Sequence, residues 1–159
     1  MTRRTRSILI DATIGKMFTG TADLSTATAA NLIAGSTLRN VQNNYGTSVT
    51  NAKVVTNAFK ALSFPSNSII TSVKVMTNTS STYYRNTGAS IILTLKTGTT
   101  YATSTSVGTV SLAASTSSAT TSITISVAAG DSLFADITQV GSTKPGGGLS
   151  YTAYYFIGY

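Results

Sequence analysis

The chain of 159 residues has 11 Lys and Arg, four acidic residues and a net charge of +7, and only 9% of it is charged, against roughly 25% in an average domain. It has no His, Cys or Trp, and its four acidic residues are Asp11, Asp23, Asp131 and Asp136, so Glu is missing too. General acid–base catalysis, nucleophilic catalysis, thiolate metal sites and disulfides thereby lose their usual residues, and the chain reads as a non-enzyme without a cofactor.

Residues 1–50 carry weak periodicity and read as an arm. Arg3, Arg4 and Arg6 form a basic tip, which is either a solvated terminus or an arm that docks on an acidic protein surface or on nucleic acid. The apolar run Ile8-Leu9-Ile10 that follows is cut by Asp11, so export by a signal peptide is not expected. A short strand is expected over 7–14, a marginal helical turn or two over 21–35, and a loop through Asn43-Asn44-Tyr45-Gly46. No stretch approaches the ~20 apolar residues of a membrane helix. The remaining basic residues are scattered singly, without the clustered stripe of a nucleic-acid binder, so no direct nucleic-acid role is expected.

From residue 51 to 159 a period of two takes over, punctuated by turn residues. Ile69, Thr71, Val73 and Val75 are phased to one face, with Ser72 and Lys74 on the other; Ala89, Ile91, Leu93 and Leu95 form the next inward row. Residues 97–106 and 113–121 are polar and low in complexity, and read as turns or long hairpin loops. Val110 with Leu112, then Ile123, Ile125 and Val127, then Leu133, Ala135 and Ile137 continue the inward set, with Ala128-Ala129-Gly130-Asp131 as a turn. The last strand sets Leu149, Tyr151, Ala153, Tyr155 and Ile157 against Ser150, Thr152, Tyr154 and Phe156. Thr, Val, Ile and Tyr suit a pleated surface, and short strands without intervening helices give an all-β antiparallel sandwich, jelly-roll-like, behind an extended N-terminal arm.

Several candidate sites follow. Asp131 and Asp136 are spaced like a carboxylate pair, but Asp131 falls in a turn, Asp136 points outward, and Ca²⁺ wants six to eight oxygens, so no metal site is expected. Gly141 to Gly148 looks like a phosphate loop, yet Lys144-Pro145 precedes the glycines and a strand follows them, so it reads as a flexible hairpin connection. Ile92, Phe134, Tyr154 and Phe156 are large and apolar in the outward register, which marks an oligomer interface. Tyr83, Tyr84 and Arg85 sit at a turn as candidate ligand contacts, with Tyr101 and Tyr151 as further stacking groups.

The run Phe64-Pro65-Ser66-Asn67-Ser68-Ile69-Ile70-Thr71-Ser72-Val73-Lys74-Val75, and the run from Ala128-Ala129-Gly130-Asp131 through Thr138-Gln139-Val140-Gly141-Ser142-Thr143-Lys144-Pro145-Gly146-Gly147-Gly148-Leu149, resemble a β-sandwich domain of virion accessory proteins in tailed bacteriophages. The match covers roughly residues 55–159 and its late motif is the more distinctive. The resemblance implies a jelly-roll-like module, commonly trimeric, projecting from a capsid or tail behind an anchoring segment, and no catalytic residue. The expectation is a cement or head-fibre protein on the capsid surface, assembled in the host cytoplasm and partnered by the major capsid protein or another virion protein. A fibre tip binding a host receptor or glycan is the first alternative. A jelly-roll coat protein ranks last, because three arginines neutralise few phosphates.

Overall fold

The computed structural model describes residues 38–47, 49–78 and 82–157. Among these residues eight strands run in chain order: β1 (Arg39–Asn44), β2 (Leu62–Ser63), β3 (Ser68–Met76), β4 (Ile91–Gly98), β5 (Thr105–Leu112), β6 (Ser118–Val127), β7 (Ser132–Gln139) and β8 (Ser150–Ile157). A 3-10 turn at Thr82–Tyr84 interrupts the β3–β4 connection. The strands form two antiparallel sheets, ordered β1-β8-β3-β6 and β2-β7-β4-β5.

β1 pairs with β8, β2 with β7, β3 with β6 and β4 with β5, as if one long hairpin bent at β4–β5 had been rolled up; β3·β8 and β4·β7 then close each sheet. That winding is the jelly roll, and it brings alternate connections to the same end of the sandwich. The inward rows read from the period of two supply the core: Ile91, Leu93 and Leu95; Val110 and Leu112; Ile125 and Val127; Leu133, Ala135 and Ile137; Tyr151 and Ala153. The Ala128–Asp131 turn also forms, closed by a bond from the Asp131 amide to the Ala128 carbonyl at 3.1 Å.

Two phases differ from the alternation. In β3 the register shifts between Ile70 and Ser72, so a bulge lets Ile70, Val73 and Val75 share the core while Ile69 turns to the outer face opposite Phe156. Arg39–Asn44, inside the segment assigned to the arm, is instead edge strand β1, in register with β8 from Arg39↔Tyr155 to Asn44↔Ser150. Its sequence holds a single apolar residue, Val41, and so shows no alternation. The sandwich therefore takes in residues earlier than 51, and residues 1–37 lie outside the described residues. The low-complexity stretches are also partly strand: β4 reaches Gly98, β5 begins at Thr105, and β6 begins at Ser118.

The two segments that carry the resemblance are bonded to each other. Phe64 donates its amide to the Asp131 carbonyl at 2.9 Å and accepts from Gly130 at 2.8 Å, while the Asn67 side chain accepts from the Ala129 amide at 2.9 Å.

Candidate functional site

The connections after β1, β3 and β7 meet at one end of the sandwich, and residues 141–148 tie them together. Thr87 and Lys144 bond reciprocally through their backbones, Gly147 donates to the Tyr84 carbonyl at 2.9 Å, Gly148 to that of Thr50 at 3.0 Å, and Ala52 donates to Gly146 at 2.8 Å. The flexible hairpin expected here is instead a clasp between distant segments. Gly146 serves it directly: its φ is +88°, and a Cβ there would meet Ile91 Cδ1 at 2.9 Å.

Beside this clasp the 3-10 turn presents Tyr83, 69% exposed, with Tyr84 and Arg85 partly covered. Lys144 Nζ lies 5.5 Å from the Tyr83 ring centre, and Tyr83 meets Tyr84 edge-on at 5.4 Å. Asn51, Pro145 and Gly146 complete a notch of about 90 Å³. Tyr83 thus keeps the exposure that a ligand contact needs, but the other two tyrosines named for stacking do not. Tyr151 is fully buried, with Phe59 edge-on at 4.9 Å, and burial pushes its phenol up to about 12 against a smaller opposing effect of the Asn43 hydrogen bond. Tyr101 folds over the outer face of β7, its ring 5.8 Å from Phe134 and its hydroxyl donating to Asp136 at 2.8 Å.

The four residues assigned to one oligomer interface separate onto opposite sides of the molecule. Ile92 and Phe134 belong to the outer face of β2-β7-β4-β5, Tyr154 and Phe156 to that of β1-β8-β3-β6. Phe134 is only 5% exposed because Tyr101 covers it, so its outward register is satisfied within the chain. Tyr154 and Phe156 remain half-buried, with Ile69 in register beside Phe156 at 1% exposure and outside the contiguous core cluster.

Asp136 does leave β7 on the outer side, as expected, yet it is 7% exposed. It accepts from the Asn57 amide at 2.7 Å and from Tyr101, with Lys96 Nζ at 3.9 Å and the same ammonium 4.6 Å from the Tyr101 ring centre. Its Oδ1 therefore holds two loops down, while Oδ2 faces the Lys96 ammonium. Asp131 is half-buried in its turn, and no group of three or more metal-ligating side chains occurs among the described residues. Arg3, Arg4 and Arg6 lie outside the described residues.

One feature escapes any local reading of the sequence. At the clasp end, the outer face of β1-β8-β3-β6 opens into a cleft of about 430 Å³ whose lining includes Gln42, Asn44, Tyr45, Thr47, Asn78 and Ser150. These residues span more than 100 positions, and the only local cue is the Tyr45-Gly46 turn.

No protein-family model matches the chain, and no curated protein matches it.

Proposed function

We propose that the chain is a non-enzymatic structural protein of a tailed-bacteriophage virion, decorating and stabilising the capsid as a cement or head-fibre protein. The observation that carries the reading is the outer face of β1-β8-β3-β6, where Tyr154 and Phe156 stay partly exposed although the inner face of the same sheet already supplies core. A second apolar surface of this kind suits assembly, through further copies of the chain, a trimer above all, or through the major capsid protein. The jelly-roll winding and the bonded motif segments agree with the resemblance to virion accessory sandwiches, a likeness at the level of fold. Residues 1–37, with the basic tip Arg3, Arg4 and Arg6, serve as the anchor in this reading. Each contact need bury only ~1,000 Å² to be specific, and lattice repetition multiplies weak contacts into avidity. Particles stripped of the protein lose resistance to heat or pressure and regain it when the protein is added back; unchanged particles would refute cementing.

A second reading, a fibre tip that binds a host receptor or glycan, is favoured by Tyr83, the most exposed aromatic among the described residues, beside Lys144. Binding of the isolated protein to host cells, lost in Tyr83→Ala, separates it from cementing.

A further inference from the structure

We infer that the cleft at the clasp end is a binding site for an uncharged, hydroxyl-rich ligand, a neutral oligosaccharide. This deepens the second reading above and moves it away from Tyr83. The floor is one row of the outer sheet face: Asn44 and Met76 flank Ser150, each in register with it across β1 and β3. Gln42 stands on the same face of β1 as Asn44 and donates its side-chain amide to the Asn44 oxygen at 3.2 Å, so the two amides form an ordered pair.

The walls are held by the fold. Gly46, at a φ of +65°, turns the chain so tightly that a Cβ there would meet the Thr50 side chain at 2.6 Å. Thr47 bonds Thr50 Oγ1 through both its amide and its hydroxyl, each at 2.9 Å. Tyr45 is fixed by the hydrogen bond its backbone amide donates to the Leu149 carbonyl at 2.9 Å and by Phe59, 6.0 Å away at 60°. Opposite, the Asn78 backbone amide donates to the Gly147 carbonyl at 2.9 Å. A preformed cleft loses little freedom when a ligand enters it.

The chemistry of the lining selects the ligand class. Its volume falls in the ~300–1,000 Å³ range of small-molecule sites. Among the described residues, none of its lining side chains is charged, so they give a phosphate, a carboxylate or a cation no counter-charge. Side-chain amides and hydroxyls each offer donors and acceptors, as sugar hydroxyls do in return, and the tyrosine adds an amphipathic surface. An extended peptide is the poorer fit. Peptides add to sheets through an unpaired strand edge, whereas this floor is a sheet face whose central strand, β8, is paired on both sides.

The test is amide-resolved NMR of the ¹⁵N-labelled protein titrated with maltotriose, lactose and diacetylchitobiose, with sialyllactose and trialanine as contrasting probes. At least one neutral sugar is expected to shift the side-chain amides of Gln42 and Asn44 at millimolar concentration. The double variant Gln42→Ala/Asn44→Ala, whose residues are exposed on an edge strand, is expected to keep the fold's spectrum and weaken that binding about tenfold or more. Neutral sugars leaving these amides unmoved, shifts confined to the Tyr83 notch, or equal shifts with trialanine would overturn the assignment. Capsid protection by the parent protein is read in parallel: sugar binding without protection refutes cementing alone, and protection without sugar binding refutes the cleft alone.

Discussion

The two sheets turn outward in different ways. On β2-β7-β4-β5, the residues that leave the core side of β4 and β7 include Phe134, Asp136 and Lys96, and residues 99–104 curl back so that Tyr101 covers the ring, bonds the carboxylate and meets the ammonium. On β1-β8-β3-β6 the outward residues Tyr154 and Phe156 stay half-buried, and the far end of the same face opens into the amide-lined cleft. Alternation is the same on both sheets. What differs, among the described residues, is that the connection 99–104 returns over the first face. The first sheet's exterior is thereby an internal contact, and the second sheet's exterior is the surface proposed for partners.

The largest effect expected from that contrast is at Phe134. Phe134→Ala should lower unfolding free energy by about 3–5 kcal/mol, the usual cost of truncating a buried aromatic, read from urea denaturation. If Phe134→Ala costs no more than Phe156→Ala, the contrast between the faces fails.

On the inner face of the second sheet, Tyr151 makes stability depend on alkaline pH. Its phenol is raised from 10.0 to about 12 by burial, so the unfolded chain releases that proton first. The contribution is fully present below pH 10 and is lost as pH rises toward 12, on the order of 2–3 kcal/mol in total. Denaturation midpoints compared at pH 8 and pH 11.5 should fall less in Tyr151→Phe than in the parent; an equal fall would place the pH dependence elsewhere.

Asp136→Ala comes next, at about 1–3 kcal/mol, because the Asn57 amide and the Tyr101 hydroxyl lose their acceptor under a covering loop. Hydrogen exchange at Asn57 should speed up in the same variant, and unchanged exchange would show that the carboxylate does not hold that loop. The smallest effect on the isolated chain is Phe156→Ser, about 1 kcal/mol, because its ring is only half-buried. Its consequence should appear in association instead: light scattering of the parent should report an oligomer that the variant loses. A parent that stays monomeric at micromolar concentration sinks the assembly role of that face.

Much of the interior was legible from residue order, because a strand buried on one face must alternate. Leu93, Val110, Ile125, Leu133 and Tyr151 were placed inward on that ground alone, and the Gly130-Asp131 turn followed from its residues. β1 was not legible. As an edge strand of mostly polar residues it meets β8 through backbone bonds and through Asn43, whose side-chain amide reaches the Tyr151 hydroxyl and also the Lys60 carbonyl, and none of these leaves a hydrophobic period. The bulge in β3 hid the outward turn of Ile69 for a related reason, since one inserted residue reverses the face without changing composition. Of the candidate site, Tyr83 and Tyr84 were legible as turn residues. Gln42, Asn44 and Asn78 were not, since an amide in a polar strand looks the same whether it lines a cleft or faces water.

By itself, the sequence determined that this is an all-β chain without the usual catalytic side chains, and which side of most strands faces the core. Period and composition are local properties that a strand with one face in the apolar core satisfies, as most strands here do. Only the tertiary structure decided that Phe134 is closed off by Tyr101, that the glycines of 141–148 clasp three segments, and that residues 42 and 150 border one cleft. Those outcomes depend on how a rolled hairpin brings distant connections together at one end, and no local pattern encodes that meeting.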